Sequence, residues 1–131
     1  MLHCGKMKQN KITHNILNAA YRVHTELGPG LLESAYENCL AYELEQDGLH
    51  VETQKPLPLV YKEVKLECGY RVDLFVENEV VVEIKATDGI NDLHLAQTLT
   101  YLKLLNKEIG LILNFNVKSL KQGIKRVIFT P

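Results

Sequence analysis

Cysteine is scarce, and its number is odd. Cys4, Cys39 and Cys68 lie far apart with no C-x-x-C pair among them, which suits reduced thiols and offers nothing for zinc or redox work. The histidines His3, His14, His24, His50 and His94 show no zinc-ligand spacing either. No G-x-x-x-x-G-K-[ST] loop occurs, so ATP hydrolysis by a P-loop is not expected. The apolar runs are far too short to span a bilayer, and the opening "MLHCGKMKQNK" is polar and basic with no apolar core behind it. Neither a membrane helix nor a secretory signal is therefore expected, and the cytoplasm is the expected location. Strong positive charge is missing as well. With a formal net charge of −1, any contact with nucleic acid must be local or metal-assisted.

What is present describes one domain. A chain of 131 residues, with 46% hydrophobic and 24% charged residues, can bury a real core without staples. Residues 1–131 read as a single unit, with 1–12 expected as a flexible N-terminal segment. Thr13 is placed to cap a first helix whose apolar positions Ile16, Leu17, Ala20, Val23, His24 and Leu27 follow helical spacing until Gly28-Pro29-Gly30 ends it. A second helix is expected from about Leu31 to Asp47, with Leu32, Ala35, Tyr36, Cys39, Leu40 and Leu44 on its apolar face. Strand signals follow at His50 to Gln54, Leu57 to Tyr61 and Val64 to Cys68, with Pro56 and Pro58 marking an edge or a turn. Asn91 or Asp92 caps a third helix running to about Asn106. "IGLILNF" and "KRVIFT" supply the last strands. This order gives a mixed α/β domain around a central sheet.

The stretch "GYRVDLFVENEVVVEIKA", Gly69 to Ala86, is a hairpin with charge in an unexpected place. Val80, Val81, Val82 and Ile84 form the β-branched run of a strand covered on both faces, yet Glu83 and Lys85 interrupt it. If Glu77-Asn78-Glu79 is the loop, pairing is symmetric about Asn78 and Asp73 falls opposite Glu83. Directly opposed like charges cost on the order of 1 to 4 kcal/mol, depending on screening. Lys85 shares the face of Glu83, since i and i+2 point the same way. Two carboxylates and an ammonium thus converge, and hard divalent cations such as Mg²⁺ take such oxygen ligands. A solvated hairpin end with a Glu83–Lys85 surface pair is the plainer reading.

The D-x9-E-x-K pattern resembles the PD-(D/E)XK nuclease superfamily. "GPGLLESAYENCL" carries Gly30, Glu33 and Tyr36 in the spacing G-x-x-E-x-x-Y, which resembles the small-protein family named for that motif within the same superfamily. The resemblance runs from about Thr13 to Phe129. It implies a restriction-endonuclease-like core, a central mixed β-sheet flanked by helices, and a nuclease dependent on Mg²⁺, with Mn²⁺ able to substitute. By resemblance Asp73, Glu83 and Glu33, with the Ile84 backbone carbonyl, are the metal ligands, and Lys85 orients or helps deprotonate the attacking water. Gln97 and Tyr101 resemble the Q-x-x-x-Y helix motif of RecB-like nucleases. The proline that names the superfamily is Val72 here.

The same residues also have plainer readings. Glu33 in a first helical turn suits the helix dipole. Tyr36 belongs to an apolar stripe, with its hydroxyl within reach of the site edge. His94, Gln97 and Tyr101 form a polar stripe that is either a substrate contact or a solvated helix face. Lys118, Lys121, Lys125 and Arg126 suit phosphates or simply water. The expected function is Mg²⁺-dependent hydrolysis of nucleic acid, DNA favoured over RNA, with Gln97, Tyr101, His94 and Tyr36 as substrate contacts. The alternatives are a nucleic-acid-binding or protein-interaction module of a repair or defence complex with little turnover, and a structural domain with an incidental acidic cluster. No membrane partner is expected. A double-strand cutter of this size needs two sites, hence a homodimer, and the weak basicity suggests a helper protein.

Overall fold

A computed structural model describes residues 2–131, with side chains from Lys8 onward; Met1 and the side chains of His3 and Cys4 lie outside the described residues. Helix α1 spans Leu2–Leu27 and α2 spans Glu33–Gln46. Strands β1 (Val51–Tyr61), β2 (Val64–Val76) and β3 (Val80–Lys85) follow, then α3 (Asp92–Leu105), β4 (Ile109–Asn114), a 3-10 turn (Leu120–Gly123) and β5 (Ile124–Ile128). Among the described residues, five strands form one sheet in sequence order, antiparallel throughout except for the parallel pair β3–β4. The parallel pair exists because α3 carries the chain back across the sheet.

Alternation along β3 divides the core into two layers. Val80, Val82 and Ile84 pack with Ile109, Leu111 and Leu113 against Ile16, Ala20 and Leu40 of α1 and α2. Val81 and Ile112 face the other way, with Phe75, onto Tyr101 and Leu102 of α3. Strand β3 is therefore covered on both sides, and all six of its residues except Lys85 are buried. The mixed sheet flanked by helices is the expected fold.

Several expectations are corrected. Thr13 does not cap α1. It lies well inside the helix, buried, its hydroxyl donating to the Asn10 carbonyl at 3.0 Å. Burial of Gln9 and Ile12 explains why: the apolar stripe begins before Thr13. On α2, Leu32 and Cys39 are exposed, so the buried stripe is Tyr36, Leu40, Ala41 and Leu44. The two short strands around Pro56 are one strand, β1, which tolerates Pro56 and Pro58 because it is a sheet edge. Likewise Val64 to Cys68 is not separate but the first half of β2. Beyond the rest of the sheet, β1 and β2 continue as a two-stranded arm, exposed from Val60 to Arg71 and closed by a turn at Lys62 with φ 56°. No described helix is long and apolar enough to cross a membrane.

Candidate active site

The register Leu74↔Val82, Phe75↔Val81, Val76↔Val80 is symmetric about Asn78. Backbone pairing of β2 with β3 stops there. At the next position side chains replace the ladder: the Asp73 N–H donates to Glu83 Oε2 at 2.9 Å, and the Ile84 N–H donates to Asp73 Oδ2 at 2.8 Å. Each carboxylate thus ties its own strand to the other's backbone. The strands can then part without leaving buried amides unpaired, and the gap opens at the C-terminal end of β3.

Two further side chains enter from the neighbouring elements. Opposite Asp73 on β1 stands Gln54, at φ 50°, a left-handed conformation in which a non-glycine residue is uncommon. Val72 packs in the same layer as Phe75, whereas unbroken alternation would separate them, so β2 is also irregular at Asp73. The Gln54 amide donates to Glu37 Oε1 at 2.8 Å and to Asp73 Oδ1 at 3.2 Å, bridging α2 to the site. Glu33, one turn before Glu37, accepts from the Ala86 N–H at 3.3 Å.

Electrostatics distinguish these acids. Burial first, and then the Asp73 carboxylate, push the Glu83 carboxyl up to about 8, against the pull of the Asp73 N–H and of Lys85. Burial also raises Asp73, opposed by the Ile84 N–H, Gln54 and Lys85. Burial and Asp73 raise Glu37 to about 6. The Tyr101 hydroxyl is pushed up to about 12, by burial first and then by the charges of Glu83 and Asp73, which keeps it a neutral donor. Gln97 Nε2 donates to that hydroxyl at 2.9 Å, leaving its proton free to point elsewhere.

The motif around α2 has a structural account. Gly28 and Gly30 take φ 66° and 104° in the turn before α2. Tyr36 donates to the Gly28 carbonyl at 2.6 Å and accepts from the Leu31 N–H at 3.1 Å, while its ring stacks on Phe115 at 4.6 Å. Fully buried, Tyr36 is not the expected substrate contact; it locks the turn that aims Glu33. His94 is partly diverted too, since its Nδ1 accepts from the Asn91 N–H in a capping box at the start of α3. Beyond Lys85, Asn114 holds the chain by accepting from the Thr87 N–H at 3.1 Å and donating to the Thr87 carbonyl.

The structure therefore brings Asp73, Glu83, Lys85 and Tyr101 together, with Glu33 at the rim. Glu37 and Gln54 are additions. Glu37 was signalled by its spacing of four from Glu33, which puts both acids on one helix face; nothing in the sequence marked Gln54. Among the described residues, no three His, Cys, Asp or Glu side chains already converge as a metal cage. The donor chemistry nonetheless fits a hard cation. Glu83 and Glu33 each give one oxygen to a backbone N–H and keep a second, and Asp73 Oδ1 is held only by the 3.2 Å bond from Gln54, so each acid retains lone pairs for a cation.

Comparison with curated proteins and with solved structures finds no match for the chain. A protein-family model does match, over residues 10–127, and it is described as the PD-(D/E)XK nuclease superfamily. Members of that superfamily are generally nucleases and typically use divalent metals. With the match covering nearly all of the sequence, and with the D-x9-E-x-K residues meeting where β2 and β3 part, the chain belongs to the PD-(D/E)XK nuclease superfamily.

Proposed function

We propose that the chain, acting as one domain over residues 1–131, is a Mg²⁺-dependent nuclease that hydrolyses phosphodiester bonds of DNA. The observation that carries this reading is the reciprocal Asp73–Glu83 arrangement beside Lys85 in the gap between β2 and β3. The spacing of Gly30, Glu33 and Tyr36 supports placing it in the GxxExxY group of the superfamily. Asp73, Glu83 and Glu33, with the Ile84 carbonyl, would hold the cation, and Mn²⁺ would substitute for Mg²⁺. When bound, the cation would supply Lewis acidity at the phosphate and a lowered pKa for the attacking water. Lys85 orients that water and offsets charge on the phosphate as it is attacked. Tyr101, held by Gln97, donates its hydroxyl proton to a phosphate oxygen. Glu37 anchors Asp73 through Gln54. One site cuts one strand, so cutting both strands together calls for a homodimer or a helper protein.

The test is cleavage of labelled single- and double-stranded DNA and RNA by pure protein with Mg²⁺, Mn²⁺ or EDTA. Asp73→Asn, Glu83→Gln and Lys85→Ala should each abolish metal-dependent cleavage, and their effects should not add, because the three act as a unit. A triple variant that cuts as well as the parent would overturn the assignment.

A further inference from the structure

From Tyr101 a groove of about 420 Å³ runs along α3, and apart from Tyr101 and Gln97 the proposed chemistry does not use its walls. Leu59 and Tyr70 of the β1–β2 arm form one wall, and Leu93, His94, Gln97 and Tyr101 of α3 belong to the other. Neither lysine nor arginine lines it among the described residues, so the groove is poorly suited to a phosphodiester backbone. It suits a flat, apolar-faced group with polar edges. The Tyr70 ring packs edge-on to Tyr101, centroids 6.4 Å apart at 62°, which fixes its plane, yet 41% of the residue stays exposed. Gln97 and His94 put amide and imidazole atoms along the rim, where the edge of a base would find hydrogen-bond partners. Tyr101 belongs both to the groove and to the neighbourhood of Asp73 and Glu83, so whatever occupies the groove lies next to the reacting phosphate.

We propose that the groove takes one unpaired base of the strand being cut, stacked on Tyr70, and that the enzyme therefore works on single-stranded or locally opened nucleic acid in preference to intact duplex. The inference rests on the nuclease reading for its substrate. In a duplex both faces of each base are covered by neighbours, so only an unpaired or extruded base can present a face to Tyr70.

Binding separates the two ideas, since it needs no turnover. Fluorescence anisotropy of a labelled oligothymidine would be measured in EDTA with the full chain carrying Glu83→Gln, and again with Tyr70→Ala or Tyr70→Phe added. Tyr70→Ala should weaken binding roughly 5- to 150-fold, the loss expected for one stacked base, whereas Tyr70→Phe should bind like its background. A blunt duplex of the same length should bind more weakly than the single strand, and a wholly abasic strand should not distinguish Tyr70→Ala from its background. Equal affinities with and without the Tyr70 ring, a preference for the duplex, or no measurable binding of the single strand would overturn the proposal. Self-association lost in Tyr70→Ala with oligonucleotide affinity unchanged would assign the groove to a second copy of the chain and would also overturn it. Absence of cleavage by the parent protein, with these affinities as expected, would instead remove the nuclease reading and leave the base site standing.

Discussion

Replacing Glu83 by Gln substitutes a neutral amide for a carboxyl that the fold holds protonated well above the usual range. An ordinary glutamate titrates near 4.5, and Glu83 in the folded chain at about 8. Between those values the folded protein keeps a proton that the unfolded chain has released, so stability falls as pH rises through the window. Below pH 4.5 both states are protonated and nothing is lost; above 8 the full penalty is present. At about 1.4 kcal/mol per pH unit, the full penalty is about 5 kcal/mol, of which about 4 kcal/mol develops between pH 4.5 and 8. Urea titrations in EDTA at steps from pH 4.5 to 8 read it directly. With a slope of about 2 kcal/mol per M, the midpoint of the parent should drop by roughly 2 M across the range relative to Glu83→Gln. The variant keeps the smaller fall due to Glu37, complete by about pH 7 because that carboxyl titrates at about 6. Glu83→Gln also preserves the acceptor for the Asp73 N–H, so the two proteins should be alike at pH 4.5. A cation that binds only the folded, ionised site should restore the parent most at pH 8, where about half of the folded molecules have already released the Glu83 proton. Parallel stability profiles for parent and variant would refute the claim that Glu83 is a buried, charge-crowded acid.

Other substitutions test the frame around the site. Tyr36→Phe removes the hydroxyl shared by the Gly28 carbonyl and the Leu31 N–H, and should cost about 1 to 3 kcal/mol in a denaturant titration. Gly123→Ala would set a methyl group on the Asn114 carbonyl, and backbone cannot yield as a side chain can. It should lower the melting temperature and, by shifting Asn114, cut activity beyond the loss of folded protein. Arg22→Ala breaks exposed pairs with Glu43 and Asp47 and should change stability by less than about 1 kcal/mol. Asp73→Asn should remove the cation-dependent rise in melting temperature shown by the parent; an identical rise in both proteins would mean that Asp73 is not a ligand.

Much of the site was legible because its geometry is local. A three-residue loop fixes which positions of a hairpin oppose each other, so Asp73 against Glu83 follows from counting outward from Asn78. A β-branched run around Glu83 announces a strand covered on both faces, and alternation puts Lys85 beside it. The start of α1 was missed because Thr13 is as good a cap as a buried interior residue, and only packing on the sheet separates the two. Tyr36 read as part of an apolar stripe with its hydroxyl at the site edge; the ring is indeed buried, on Phe115, but the hydroxyl is taken by the turn before α2.

The sequence by itself determined the mixed α/β order, the hairpin register and the superfamily, since these show in local patterns and short motifs, whereas the extent of β1 and β2 did not. Tertiary structure decided which other groups join Asp73 and Glu83. Glu37 and Gln54 reach Asp73 across 36 and 19 positions only because α2 packs against β1, β2 and β3 and the backbone turns left-handed at Gln54. It also decided the charge states. A carboxylate's cost depends on how much water the surrounding chain removes from it: the β-branched run announces a covered strand, but only the packed layers and the nearby Asp73 set how far Glu83 is pushed up.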